Sequence, residues 1–222
     1  MTKETARPIV LAVDGPAASG KGSLARRLAT HFGYAHLDTG LLYRAVALAL
    51  IREGISAENT HAAAAAAQNL SVDLLTDPAL RGDEVANMAS QVAVIAPVRE
   101  ALIKYQRGFA HKPPGGAPGA VLDGRDIGTV ICPEADHKIF VDASLDARAD
   151  RRVKELRERG VAAIYARVLQ DMKERDTRDR TRAVAPLIPA EDAFLLDTTT
   201  LDADAAFTAA LEFIKSRDKS DA

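Results

Sequence analysis

At 222 residues, with an apolar share of 47% and a charged share of 27%, the chain has the make-up of a soluble globular protein with a sizeable core. A formal net charge of −2 gives no bulk electrostatic case for nucleic acid or a membrane surface, and the lone Cys132 excludes an intrachain disulfide and fits a reducing cytoplasm. The first apolar run stops at Asp14, too short for a signal peptide or a membrane span, and no Cys/His cluster with metal-ligand spacing occurs.

Residues 1–8 read as a frayed terminus. Ile9–Val13 is wholly apolar, the pattern of a short parallel strand buried on both faces. It opens onto Gly15, Pro16, Ala17, Ala18, Ser19, Gly20, Lys21, Gly22 and Ser23, and an Ala/Leu helical pattern follows from Ser23 to Thr30. Strand, Gly-bounded loop, Lys and helix in this order predict a phosphate-binding P-loop. Backbone N–H groups turn inward, the helix adds the positive end of its dipole, and Lys21 reaches the β- and γ-phosphates of a nucleotide. The residue after Lys21 is Gly22 and the hydroxyl comes one place later, at Ser23. Mg²⁺ is therefore expected to rest mainly on phosphates and water.

Gly33 is a plausible cap for the first helix. Tyr34–Leu37 predicts a second strand, Asp38-Thr39-Gly40 a turn, and Leu41–Glu53 a helix closed by Gly54. On that helix Arg44 is either a solvated side chain or an anion ligand. The His61–Ala67 tract predicts a helix, Leu70–Leu75 a strand, and Glu84–Val94 a helix carrying Asn87, Ser90 and Gln91 on a small-residue face. Pro97 opens another helix, on which Val98, Leu102, Tyr105 and Phe109 follow core spacing, with the roles of Arg99 and Lys104 open.

After a Pro/Gly loop at 112–119, an apolar strand ends in Asp123, the Walker-B type pattern that sets a carboxylate near phosphates and metal. Gly124-Arg125-Asp126-Ile127-Gly128-Thr129 follows. This is either a polar turn with an internal ion pair or, the better fit at the carboxyl end of an α/β strand, a ligand contact. Lys138–Asp142 predicts a strand, Leu145–Glu158 a helix, and Ala162–Arg175 a second helix after Gly160. The arginines of this hairpin (Arg148, Arg151, Arg152, Arg157 and Arg159) read as a solvated charged face interleaved with Glu155 and Glu158. The sign-alternating run at 173–182 is either a surface helix of paired charges or a phosphate-holding arginine cluster. Phe194–Asp197 predicts a late strand and Asp202–Arg217 a closing helix.

The segments DGPAASGKGS, LDTGLLYR, ANMASQVA, VREAL, LDGRDIGTV and KERDTRDRTRAVAPL together resemble the bacterial cytidylate kinases, within the nucleoside monophosphate kinase group, over nearly the whole chain. The resemblance implies a single α/β domain, a P-loop NTPase-type three-layer sandwich around a parallel sheet. It also implies a monophosphate-binding part near 39–111 and a lid near 155–182. It implies ATP as donor, CMP and dCMP as acceptors, and Mg²⁺ carried by the nucleotide. Residue by residue, Gly15 to Ser23 would hold ATP, and Arg44, Arg125 and Arg182 the CMP phosphate. Ser90, Arg99 and Asp126 would read cytosine, and Arg175 and Asp179 would lie near the sugar. Asp38, Thr39 and Asp123 would sit beside the acceptor. Lys21, Arg125 and Arg182 are the expected catalytic set, in a monomeric cytoplasmic enzyme with no nucleic-acid or membrane partner.

Two features depart from the family's pattern. Ala17 stands where a hydroxyl residue is common, and the segment from Ser71 to Val85 is short. A GTPase-type switch would want a guanine-reading Asn-Lys-x-Asp segment, which the sequence lacks. A nucleic-acid-binding P-loop module would want an aromatic-rich basic stripe. A kinase for another monophosphate or a small metabolite differs from the favoured reading only in its acceptor.

Overall fold

The computed structural model describes residues 7–220, so most of the terminus read as frayed lies outside the described residues. Five parallel strands form one sheet: β1 (Ile9–Asp14), β2 (Ala35–Asp38), β3 (Gly119–Gly124), β4 (His137–Asp142) and β5 (Phe194–Asp197), in the spatial order β2-β3-β1-β4-β5. β1 lies in the middle, and its burial on both faces explains its unbroken apolar run. Alternate residues face opposite layers. Leu11 and Val13 join Val121, Ile139 and Val141 under α1 (Lys21–Phe32) and α8 (Ala203–Ser220). Val10 and Ala12 join Ala120 and Leu122 under α5 (Ala96–His111). Each of the larger aliphatic side chains contributes about 1.5–3 kcal/mol by leaving water. Helices on both faces of a parallel sheet give the expected three-layer α/β sandwich.

A second body of helices sits between β2 and β3 in the chain: α2 (Thr39–Arg52), α3 (Thr60–Gln68) and α4 (Asp83–Val92), packed with α5 around Leu42, Val46, Leu50, Val92, Val98 and Leu102. A hairpin of α6 (Leu145–Glu158) and α7 (Tyr165–Thr181) packs through Ala149, Val153, Leu156, Val168 and Met172, with Ala18 of the loop after β1 in the same cluster. Among the described residues no helix is long and apolar enough to cross a membrane.

Three expectations on local structure change. The strand expected at Leu70–Leu75 is a 3₁₀ turn at Val72–Thr76, followed by another at Pro78–Arg81. Ser71 and Asp77 accept the first N–H groups of these turns and Pro78 starts the second, so local bonds replace a ladder. The second hairpin helix runs on to Thr181, taking in the charged run, because no Gly or Pro interrupts it. Tyr105 is 39% exposed, while Val98 and Leu102 are core.

Candidate functional site

The loop after β1 owes its shape to three residues. Gly15 has φ +150°, and a Cβ there would lie 2.0 Å from the carbonyl oxygen of Val141, so no side chain fits. Ala18 (φ 58°) and Gly20 (φ 92°) take the left-handed region, and Gly20 caps α1. From the first turn of α1, Lys21 reaches back to the Pro16 carbonyl, Nζ to O 3.5 Å. Burial and nearby Arg125 depress the ammonium to about 8, against the pull of Asp123 and Asp38. Ser19 Oγ is buried without a hydrogen-bond partner.

Strand register sets the carboxylates. Asp38 pairs in the ladder with Asp123, and Asp14 with Gly124, so all three acids end up at the carboxyl edge of the sheet. Burial and the neighbouring Asp123 raise Asp38, while His36 Nε2 lies 2.7 Å from Asp123 Oδ2. A Cβ on Gly22 would stand 3.9 Å from Asp123 Oδ1, so the position after Lys21 faces this acid.

Beside the loop lies a cleft lined by every residue expected around an acceptor: Asp38, Thr39, Arg44, Ser90, Arg99, Asp123, Arg125, Asp126, Arg175, Asp179 and Arg182. They arrive from the ends of β2 and β3, from α2, α4, α5 and α7, and from the segment after β3. On α7, Arg175 and Asp179 are one turn apart and Arg182 follows at its C-cap, so helical spacing turns them to one side. Asp126, 5% exposed, is bonded by Arg99 Nη2 and lies 3.4 Å from Arg182 Nη2. Arg99, 1% exposed, also donates to Tyr43 Oη at 3.3 Å. Arg125 Nε bonds Asp179 Oδ2 at 2.9 Å. Arg125 therefore pairs across the cleft, and the internal ion pair considered for its turn does not form. Arg44 lines the cleft and donates to the Leu80 carbonyl at 2.7 Å. Thr39 Oγ1 donates to the Asp123 carbonyl, and Ser90 Oγ to that of Asn87.

Like charges crowd the cleft. Burial depresses the guanidinium groups of Arg44, Arg175 and Arg182, and neighbouring arginines add to the effect. Burial opposes ionisation of Asp179, but Arg125 and Arg175 outweigh it and hold its carboxyl below the usual range. Arg175 Nε is buried with no partner.

Sequence reasoning missed several of these residues. Tyr43 lines the cleft, and its i+4 spacing from Thr39 on α2 was the available signal. The hairpin arginines were expected to be solvated, and three are not. Arg148, 3% exposed, pairs with Asp176 and donates to the Ala17 carbonyl at 3.2 Å. Arg151 donates to Thr198 Oγ1 at 3.1 Å and to the Ser19 carbonyl at 3.5 Å. Arg152 pairs with Asp83 and Glu155. Apart from Glu155, three residues on in the same helix, their partners come from the loop, from α7, from α4 and from Thr198 after β5, and no local periodicity encodes that.

A parallel sheet whose central strand feeds a Lys-bearing glycine loop, next to an arginine-lined cleft roofed by a helical hairpin, defines a P-loop phosphotransferase of the nucleoside monophosphate kinase type. The family model for cytidylate kinases matches residues 11–216. A protein named cytidylate kinase from Paramagnetospirillum magneticum is 59% identical over 208 residues, covering 94% of this chain and 98% of its own. One of the same name from Methylocella silvestris is 57% identical, covering 94% of each. The chain belongs to the cytidylate kinase family. In fold alone it is also similar to a solved protein from Eubacterium ventriosum, described as uncharacterised, with a TM-score of 0.53 at 16% identity, covering 94% of this chain and 99% of that one.

Proposed function

We propose that the protein transfers the γ-phosphoryl group of ATP to CMP or dCMP, giving ADP and CDP or dCDP. One observation carries the reading: Arg44, Arg125, Arg175 and Arg182 converge on a single cleft beside the phosphate loop, with the buried Asp126–Arg99 pair in the same wall. Arginine forks suit a phosphate monoester, and a dianion would neutralise their mutual repulsion. In this reading Arg44, Arg125 and Arg182 hold the acceptor phosphate in line, and Gly15 to Ser23 hold the ATP phosphates. Lys21 follows the charge on the migrating group. The acceptor phosphate is already anionic near neutral pH, so alignment and charge neutralisation suffice without a strong base.

Cytosine presents an exocyclic amino donor beside ring acceptors. Asp126 keeps lone pairs free after its two arginine contacts, so it accepts from that amino group, while Arg99 and Ser90 complete the edge. Uracil would place a carbonyl against the carboxylate, at a cost of about 1–3 kcal/mol per mismatched group. Arg175 and Asp179 lie at the sugar, with Asp38, Thr39 and Asp123 beside the acceptor.

The helical body of α2 to α5 serves as the monophosphate-binding part (39–111). The hairpin segment at 155–182 serves as the lid, closing to exclude water and suppress hydrolysis. Among the described residues no group of three His, Cys, Asp or Glu side chains could hold a metal ion. Asp123, at the sheet edge and facing the position after Lys21, is the carboxylate that would lie near Mg²⁺ carried on phosphate oxygens and water. When bound, the ion would supply charge neutralisation at the β- and γ-phosphates. The reading includes a monomeric cytoplasmic enzyme with no nucleic-acid or membrane partner, in keeping with its single cysteine and near-neutral charge.

The test is ADP production from ATP and Mg²⁺ with CMP, dCMP, UMP, AMP and GMP offered separately. Turnover confined to CMP and dCMP is expected. Comparable turnover with UMP would make the enzyme a broader pyrimidine kinase, and no acceptor-dependent turnover would overturn the reading.

A further inference from the structure

Asp14 takes no part in the phosphate chemistry above, yet both its oxygens are occupied. It ends β1 and directly precedes Gly15. Its Oδ1 accepts the N–H of Ile127 and its Oδ2 the N–H of Gly128, each at 2.8 Å. These amides open a short π-helical turn, Ile127–Ile131, which begins immediately after Arg125 and Asp126. The far end of the turn is held as well. Arg107 of α5 donates Nε to the Ile131 carbonyl at 3.0 Å and Nη2 to the Val130 carbonyl at 2.9 Å. Within the turn, the N–H groups of Val130 and Ile131 both return to the Asp126 carbonyl, at 2.9 and 3.1 Å.

A single π turn is a rare conformation that needs outside support. Here an anion meets its free amides and a cation its free carbonyls, the arrangement its dipole favours. The turn is also tightly seated. A Cβ on Gly128 would lie 3.2 Å from Lys138 Cδ and 3.5 Å from Asp14 Oδ2. Burial pushes the Asp14 carboxyl up to about 7, against the two amides, which hold it down.

We infer that Asp14 and Arg107 are positioning residues for the acceptor: together they brace the turn that carries Arg125 and Asp126 and fix it to the root of the phosphate loop. Asp14 and Gly15 are joined by one peptide bond, so the donor loop and the acceptor-reading segment share a single joint. The line between the two phosphates is set at that joint rather than by the lid alone. This inference rests on the assignment of the cleft to CMP.

The variants are Asp14→Asn, Arg107→Met and Arg107→Lys. Asp14→Asn keeps the shape but turns an N–H₂ toward an amide N–H. Two readouts are needed: KM for CMP and for ATP with kcat, and amide exchange at Ile127, Gly128 and Ile131. Asp14→Asn is expected to raise the CMP KM about tenfold and leave the ATP KM within about twofold, with exchange at Ile127 and Gly128 faster by about tenfold or more. Arg107→Met, an exposed change at the other end of the same turn, should give the same signature at about three- to fivefold. Arg107→Lys should recover most of it. Arg107→Met also carries the test by itself if Asp14→Asn does not fold.

Parallel rises in both KM values would overturn the inference, as would looser amides with an unchanged CMP KM, or unchanged exchange. Absence of CMP turnover in the unaltered chain would instead remove the acceptor assignment and this inference with it.

Discussion

Lys21 holds its charge against burial and Arg125, a cost that a polyphosphate would offset in the proposed reading. Its folded value, about 8, lies below the ordinary 10.5, so between those two the unfolded chain binds more protons and stability rises with pH. Below about pH 8 the whole penalty stands. Lys21→Met should therefore abolish transfer while stabilising the ligand-free fold at pH 7 by roughly 1–2 kcal/mol, a Tm gain of about 3 °C by calorimetry. In the unaltered enzyme, kcat/KM for ATP should fall above about pH 8, because it reports the free enzyme. The fall in kcat should come at higher pH, where bound phosphate supports the ammonium. At the acceptor end, Arg182→Ala should raise the CMP KM by about tenfold or more. Asp126→Ala should cost CMP more than UMP in a competition assay. Equal losses would remove its base-reading role.

Among the elements, α7 does the most to join the two substrates. One side carries Arg175, Asp179 and, at its end, Arg182 into the cleft. From the same helix Asp176 holds Arg148, which also grips the Ala17 carbonyl of the phosphate loop. Asp176→Ala would leave a buried guanidinium with only carbonyl partners. It should cost about 2–4 kcal/mol in denaturant unfolding and weaken ATP binding as the loop loosens. A conservative Asp176→Glu should recover part of both. The loop itself tolerates less: Gly15→Ala must move Val141 or the loop, and nucleotide binding measured by calorimetry should be lost. The charged run at 173–182 shows how much of this was readable. Its alternating signs were visible in the sequence, but helical periodicity alone does not say which side meets a cleft. Only packing of α7 on α6 and α4 selects the side with Arg175 and Asp179.

For the whole molecule, whose net charge is −2, the arginines crowded into the cleft are a local store of unfavourable charge that the proposed ligands would release. CMP should raise Tm, and sulfate or inorganic phosphate should do so more weakly. Linkage gives about 2.7 kcal/mol at a hundredfold excess over Kd. CMP with a non-transferable ATP analogue should exceed the sum of the two singly, since in the proposed reading closure orders the hairpin once for both. The hairpin already touches the acceptor side. Arg178 Nη2 bonds Asn87 Oδ1 at 2.9 Å, Arg159 Nη2 the Arg81 carbonyl at 2.9 Å, and Arg152 pairs with Asp83. Loss of the Asp83 contact in Arg152→Ala should lower the cooperativity between the two ligands more than either single affinity.

The sequence by itself determined the sheet-forming runs, the glycine loop and the late strand, because each is written in local chemistry: apolar runs and glycines that a turned backbone demands. The cleft residues were legible only through the family resemblance, since local chemistry left Arg44, Arg99, the turn at 124–129 and the run at 173–182 open. It misread Leu70–Leu75, where apolar residues suggested a strand but capping side chains and a proline closed local turns instead. It also misread Arg148, Arg151 and Arg152, whose helix pattern looks solvated. Burial there depends on partners far along the chain, at Asp176, Thr198 and Asp83. The same holds for Asp14, which reads as the end of a strand until register brings the Ile127 turn against it. Local periodicity fixes which face of an element is apolar. Only the tertiary structure decides which buried charge meets which partner, since that depends on how strands and helices distant in the chain come to lie side by side.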